Sequence, residues 1–219
     1  MSGSASPTRR QRNKTSALRN LLIVSQEYKN NMVGKIFMYV FDNRFIEVNY
    51  KVKNFKHLTG VDSALSADQF YRNCINRTLT IEQFYFNARH PYHLAENKIR
   101  HLGNFYNACS SECFMQEDIT TNSGTYKFGT TEMNFSTLFA EDIDEVTGEK
   151  RSDYYIVKSL RDKDCFDESS AVHSVTHIFV KNNDERKYST VLYLDNNNKS
   201  NIPQEAKDKL DSSILALLV

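Results

Sequence analysis

Tryptophan is absent from this 219-residue chain, and glycine and proline are scarce, at seven and three residues. The glycines do not form a GxGxxG or GxxxxGK[ST] pattern, which argues against the nucleotide-dependent enzymes that hold phosphates with those loops. The longest apolar runs, residues 21–24 and 214–219, are far too short to span a bilayer. We therefore expect no membrane partner.

Cysteine usage is equally sparse. The four cysteines are Cys74, Cys109, Cys113 and Cys165, and they include no CxxC pair and no zinc-finger spacing with histidine. The first residues carry no long apolar segment of the secretory type. The sequence thus predicts four reduced thiols, no resident metal and a cytoplasmic location.

Charge is nearly balanced over the whole chain but unevenly placed. The net charge is +1, yet five basic residues precede the first acidic residue, Glu27, and an acidic run occupies residues 141–145. The early basic residues are Arg9, Arg10, Arg12, Lys14 and Arg19. They are compatible with a helix that lies along phosphate and equally with a solvated helix start. The acidic run slightly favours a protein partner.

Hydrophobic periodicity predicts an α+β fold: an N-terminal helix and a β-hairpin, then a helical segment, then an antiparallel β-meander. Predicted helices cover residues 9–32, 67–76, 94–109 and 204–218, and predicted strands cover 35–41, 44–53, 113–119, 126–128, 132–139, 153–160, 172–181 and 188–195. We divide the chain into a basic tail and helix (1–32), an α+β domain (33–195), and a polar linker with a C-terminal helix (196–219).

Two local patterns make specific predictions. In the second arm of the hairpin, Ile46, Val48 and Tyr50 alternate with polar residues, so this face should meet the core. Ser66, with Gln69 three residues later, has the spacing of a helix capping box.

A single histidine stands at the junction of the hairpin and the helices. His57 lies in Asn54-Phe55-Lys56-His57-Leu58-Thr59-Gly60, between an apolar anchor and a turn glycine. Such a junction can hold an imidazole in a fixed position at the edge of a sheet. A half-buried packing histidine is the alternative that the local pattern leaves open.

Two further histidines occupy one predicted strand. His173 and His177 are four residues apart, so in a regular strand they share a face. With Lys158 and Tyr188 on neighbouring strands they would form a metal-free acid–base site. A polar surface facing water and an adventitious metal pair are the alternatives.

The segment around His57 resembles the opening motif of a phage-associated nuclease-like family in the barnase, EndoU, colicin and RelE group. This group occurs in phages, mobile elements and their low-GC Gram-positive hosts. Residues 153–156 resemble the family's Ala-Asp-Tyr-Ile strand, and residues 188–194 resemble its late aromatic strand. The resemblance covers roughly residues 35–195, and it implies a barnase- or RelE-like fold in the cytoplasm of a bacterial host cell.

The resemblance implies a metal-independent ribonuclease or toxin of a phage or mobile element, without a cofactor, that acts on single-stranded or tRNA-like RNA. His57 would act as base or acid, with His173 or His177 as its partner. Lys158 and Arg100 would stabilise developing negative charge. Tyr188 would stack on or hydrogen-bond to an unstacked base, and the late polar position of the family is displaced here to Ser189 or Thr190.

A binding module that keeps the fold without the chemistry is the alternative. It would be a phage accessory or anti-defence protein that binds nucleic acid or a host protein, such as a defence factor or antitoxin. Convergence of His57, Lys158 and one of His173 or His177 around an open cleft would favour catalysis. Dispersion of these groups would favour the binding module.

Overall fold

A computed structural model describes residues 8–218, which form six α-helices and one eight-stranded sheet. The predicted N-terminal tail, residues 1–7, lies outside the described residues. In chain order the elements are α1 (Arg9–Asn31), β1 (Lys35–Phe41), β2 (Arg44–Asn49), α2 (Asn54–Thr59), α3 (Ala67–Ile75), α4 (Tyr92–Ala108), β3 (Phe114–Thr121), β4 (Gly124–Thr131), β5 (Ser136–Ile143), β6 (Lys150–Arg161), β7 (Ala171–Asn182), β8 (Thr190–Leu194), α5 (Gln204–Lys207) and α6 (Ser212–Leu215).

The sheet closes on itself. Its strand order is β1-β2-β6-β5-β4-β3-β7-β8, and β1 also pairs with β7, so the first seven strands form a ring. Neighbouring strands are antiparallel except β2 and β6, which run parallel with Val48 opposite Tyr155. The predicted α+β class, hairpin and antiparallel meander are confirmed, and the ring joins the hairpin to the meander.

The predicted hairpin turn and capping box are also present. Asp42 and Asn43 adopt positive φ angles of 46° and 52°, which suit the twist of a two-residue hairpin. The Ser66 side chain accepts a hydrogen bond from the Gln69 backbone, and the Gln69 side chain caps the Ser66 backbone in return.

One face of the hairpin packs against the helices. Phe37, Tyr39 and Phe41 on β1 are fully buried, and the predicted inward face of β2 joins them. The helices contribute Leu21, Val24, Tyr28, Ile99, Leu102 and Phe105 to this main core. Each fully buried large apolar side chain contributes about 1.5–3 kcal/mol, so α1 and α4 are held mainly by this face.

The other face of β1 is covered by the C-terminal segment. Met38 and Val40 pack there against a smaller cluster that includes Ile202, Ala206, Leu210 and Ile214. The predicted single helix over residues 204–218 is wrong, because this segment forms two short helices, α5 and α6, with a break in the helix between them. At the break the backbone bonds to Tyr188, whose N–H donates to Lys209 O at 2.9 Å and whose carbonyl accepts from Asp211 N at 2.9 Å.

Two further sequence expectations bear on the fold. All four cysteines, each within residues 8–218, are buried and unpaired. Within the same range the helices are all too short or too polar to cross a membrane.

Lys98 is a charged residue inside the helical layer. It lies on α4 with 7% of its surface exposed, and its stem packs against Gly60, the last residue of the His57 motif. A Cβ atom at Gly60 would lie 2.8 Å from Lys98 Cδ, and the φ of 68° there also favours glycine. Burial, reinforced by Arg161 and opposed by Asp162, lowers the pKa of Lys98 to about 8.

We predict that Lys98→Met raises the free energy of unfolding near neutral pH by about 1–3 kcal/mol, because the buried charge is lost while the apolar stem is kept. The pKa of Lys98 is lowered on folding, so the penalty is complete below pH about 8 and fades as pH rises toward 10.5. Urea unfolding across that range measures both effects. Lower stability of the variant near neutral pH would contradict the assignment.

Candidate active site

His57 is held at the surface by a short helix with a buried opposite side. Phe55 and Leu58 on α2 are fully buried, whereas the His57 side chain is exposed. The first turn is fixed by the Asn54 side chain, which accepts a hydrogen bond from Lys51 N at 2.9 Å. Gly60, in the left-handed conformation, ends the helix. The imidazole is therefore presented by a rigid element, as the motif predicted.

An open cleft lies between α2 and β6 and brings His57 and Lys158 together. Its volume is ≈ 270 Å³. The lining residues are Lys53, Asn54, His57, Ala67, Glu145, Ile156, Val157 and Lys158. Lys158 reaches the cleft from β6, against which α2 packs. His57 and Lys158 thus line one cleft, but neither His173 nor His177 is among the described residues that line it, so the expected meeting of three groups is not found.

A second, wider depression of ≈ 570 Å³ continues from this cleft along β4, β5 and β6. The two share Glu145 and Lys158. The second depression adds Thr125, Lys127, Ala140, Glu141, Ile143 and Tyr155. We call the two together the His57 groove. Cations, carboxylates and one aromatic ring line it, a composition suited to a polar, charged ligand.

The environment of His57 favours its neutral form. Partial desolvation in the groove lowers the pKa of His57, and the positive charges of Lys56 and Lys158 lower it further. The carboxylate of Glu145 acts in the opposite direction. Near neutral pH the ring is therefore able to accept a proton.

Glu145 also pairs with the groove cation. Its Oε1 lies 3.3 Å from Lys158 Nζ, and its side chain is 87% exposed. An ion pair this exposed is weak, so an anionic ligand can displace Glu145 from Lys158 with little loss of free energy.

The expectation that His173 and His177 share a strand face is wrong. Opposite β1, Val40 pairs with His177 but its neighbour Phe41 pairs with Val175, so β7 carries a β-bulge at Thr176. The extra residue reverses the alternation, and the two histidines point to opposite faces.

His177 is buried under the C-terminal segment. Its ring stacks on Phe179 with centroids 5.7 Å apart, its Nε2 lies 3.2 Å from Lys199 O, and its Nδ1 lies 2.9 Å from Thr176 Oγ1. These contacts give His177 a structural role, away from the His57 groove.

His173 lies on the inner face, where it contacts Glu117 and Arg44 instead of His57. Its Nε2 is 2.8 Å from Glu117 Oε1 and 3.3 Å from an Arg44 guanidinium nitrogen. The structure thus separates the two histidines that the sequence placed together, and each has its own partners.

The remaining predicted site residues also lie away from the groove. Arg100 is exposed on α4 and donates to Asn97 Oδ1 at 3.1 Å. Tyr188 is fully buried, and its hydroxyl donates to Glu47 Oε1 at 2.7 Å, so it has no free face for a base. Ser189 is exposed and donates to Glu185 Oε2 at 3.3 Å. The prediction that Tyr188 stacks on or hydrogen-bonds to a base is therefore wrong, because the ring is buried and its hydroxyl is bonded to Glu47.

Of the groove residues, sequence reasoning identified only His57 and Lys158 as site residues, and it missed Lys127, Glu145 and Tyr155 among others. Tyr155 lies in the strand segment that resembles the family's pattern, and Glu145 lies in the acidic run, so both were visible as features. Lys127 had no sequence signal, because its place depends on the register of β4 beside β5.

Residues 8–218 contain no group of three or more His, Cys, Asp or Glu side chains that could hold a metal ion.

Comparison with known proteins places the chain in a family. The model of the protein family described as phage-Barnase-EndoU-ColicinE5/D-RelE like nuclease4 matches residues 20–197. The chain belongs to this family. The match includes the His57 motif and every residue of the His57 groove. Neither the curated proteins nor the solved structures contain a match to the chain.

Membership of the nuclease-like family agrees with the architecture and with the resemblance seen at the His57 motif. An N-terminal helix followed by a mixed sheet with several helices is consistent with the barnase-like fold. The family description gives a nuclease type and leaves the nucleic acid open.

We predict that His177→Gln lowers the free energy of unfolding by about 1–3 kcal/mol, because a buried, hydrogen-bonded ring is lost. Burial also lowers the pKa of His177, so the wild-type fold loses stability as pH falls below the ordinary value of 6.5, where the unfolded chain takes up the proton. The variant should lose less stability over this range. Thermal unfolding of both proteins at a series of pH values measures this difference. An equal loss of stability at acid pH in the wild type and in His177→Gln would contradict the structural role given to His177.

Proposed function

We propose that this protein is a metal-independent ribonuclease that cleaves single-stranded RNA in the His57 groove. The observation that carries the proposal is the convergence of His57 and Lys158 in one open cleft of a nuclease-like chain. A phage or mobile element is the proposed source, the cytoplasm of its bacterial host the proposed location, and host RNA, including tRNA-like RNA, the proposed substrate.

The chemistry follows from the side chains of the groove. Neutral His57 takes the proton of a ribose 2′-hydroxyl as that oxygen bonds to the adjacent phosphorus. Lys158 stabilises the extra negative charge on the phosphate oxygens. The bond from phosphorus to the 5′-oxygen breaks, and the leaving oxygen takes a proton from water in the open groove. The hydroxide left behind takes the proton held by His57, which restores the neutral base. The products are a 2′,3′-cyclic phosphate and a 5′-hydroxyl end.

Single-stranded RNA suits the shape and the lining of the groove. Lys53, Lys127 and Lys158 offer positive charge along it, and the half-buried Tyr155 offers a ring against which an unstacked base can pack. A flexible strand can also place its 2′-hydroxyl in line with the phosphate, which a regular duplex resists.

The alternative function is a binding module without catalysis. One argument for it is that Lys158 already forms an ion pair with Glu145 when no ligand is bound. The other is that the described groove residues include no second histidine to act as the partner of His57. The partner would then be nucleic acid or a host protein, and the groove would bind it without cleavage.

We predict that His57→Ala lowers the rate of RNA cleavage by about 10²–10⁴-fold, the usual contribution of one proton-transfer group. The assay is turnover of a labelled single-stranded RNA in chelator, with His93→Ala as control because His93 is an exposed histidine on the first turn of α4. Equal cleavage by wild type and His57→Ala would remove His57 from the mechanism. Binding of RNA without cleavage by the wild type would favour the alternative.

A second prediction concerns pH. Deprotonated His57 is the active form, so activity should rise with pH through a midpoint below the ordinary histidine value of 6.5. Lys158→Met should reduce the maximal rate and shift this midpoint upward, because a charge that lowers the pKa of His57 is removed. Glu145→Gln should shift it downward. Identical midpoints in the three proteins would contradict the proposed base.

A further inference from the structure

Three strands bring a second polar cluster to the inner face of the sheet. Arg44 comes from β2, Glu117 from β3 and His173 from β7, and they meet because β7 pairs with β1 on one edge and with β3 on the other. Arg44 donates to both Glu117 oxygens, and His173 Nε2 lies 2.8 Å from Glu117 Oε1.

The cluster holds the Arg44 guanidinium against an aromatic ring. Its central carbon lies 4.9 Å from the centroid of the Phe41 ring, which supports it from one side. The side chain of Glu117 is only 11% exposed, whereas that of Arg44 is 44% exposed and that of His173 is 25% exposed. A buried carboxylate therefore fixes two planar groups that both remain open to solvent.

The local charge suits a neutral flat ligand better than a phosphate. Asp42 lies 3.3 Å from Arg44 and 3.8 Å from His173 Nδ1, so two carboxylates flank the single guanidinium. A phosphate at this place would face both negative charges. A nucleobase can stack on the guanidinium plane and use its edge to donate a hydrogen bond to the exposed Asp42 carboxylate.

The cluster adjoins the His57 groove through a row of rings. The His173 ring lies 5.9 Å from Phe41, Phe41 lies 6.0 Å from Phe128, and Phe128 lies 5.1 Å from Tyr155, which lines the groove. Lys127 sits 5.9 Å from the Phe128 ring and lines the same groove. The Phe41 and Phe128 rings are buried, so this row links the two sites through the interior. At the surface, Lys127 pairs at 2.7 Å with Asp118, which follows Glu117 on β3, so the groove and the cluster lie side by side.

We propose that Arg44, held by Glu117 and flanked by Phe41 and His173, is a stacking site for one unpaired nucleobase of the single-stranded RNA in the His57 groove. This inference rests on the proposed function. Arg44 and His173 contact the base, Asp42 reads its edge, and Glu117 is a positioning residue that keeps the guanidinium plane in place.

The experiment measures RNA binding to protein carrying His57→Ala, so that cleavage does not interfere. Arg44→Lys in this background keeps the charge and removes the plane, and we expect it to weaken binding of a short single-stranded RNA about tenfold, within the range for loss of one stacked base. Arg186→Lys is the matched control, because Arg186 is exposed in the turn between β7 and β8. Fluorescence anisotropy at fixed salt gives the affinities.

A scan of abasic nucleotides through the same RNA provides the second arm. One abasic position should weaken binding about tenfold to the His57→Ala protein, which keeps Arg44, and should not affect binding to the protein that also carries Arg44→Lys. A purely structural role for Arg44 would not produce this difference. Thermal unfolding of each variant confirms that the compared proteins are folded.

The outcomes separate the two proposals. RNA binding that is indifferent to Arg44→Lys, or to every abasic position, overturns the stacking site and leaves the ribonuclease proposal intact. Cleavage that survives His57→Ala, with stacking at Arg44 retained, overturns the ribonuclease mechanism alone. No RNA binding by any of the folded proteins overturns both.

Discussion

The pairing of β1 with β7 is the constraint on which the rest of the structure depends. Seven register pairs, from Lys35 with Asn182 to Phe41 with Val175, join the first strand of the chain to the seventh. With β2 on its other edge, β1 has no free edge, and both of its faces are covered. The pairing turns an open meander into a ring and fixes where each later strand presents its side chains.

The geometry of the candidate active site follows from that ring. Because β2 is tied to β1, the chain that leaves β2 must place α2 beside β6, where β2 and β6 run parallel. His57 then meets Lys158 across a gap that the main core does not fill. In the same ring β3 pairs with β7, which brings Glu117 beside His173. One topological feature therefore supports both the groove and the proposed stacking site.

Buried polar groups reinforce the closure at several points. Glu47, on the outer face of β2, accepts from Tyr188 at 2.7 Å and from Lys209 at 2.6 Å, which ties the C-terminal segment to the hairpin. Lys51 pairs with the buried Asp142 of β5, whose pKa is lowered by Lys51 and by Ser152 although desolvation opposes the shift. Both carboxylates have their cation within the protein, although Asp142 Oδ1 has no hydrogen-bond partner among the described residues. The cations of the groove instead face solvent and can exchange partners.

The sequence by itself determined the local structure: the first helix, the hairpin, the Ser66 capping box, the α+β order and the rigid setting of His57. Each depends on spacing within about ten residues, where side-chain periodicity and turn chemistry act directly. The family resemblance at the His57 motif also came from contiguous residues. Tertiary structure alone decided which distant side chains meet His57. One bulge at Thr176 separated His173 from His177, the pairing of residues 209–211 with Tyr188 broke the last helix, and burial removed Tyr188 from the surface. Such events depend on strand register and long-range pairing, for which a local pattern carries no signal.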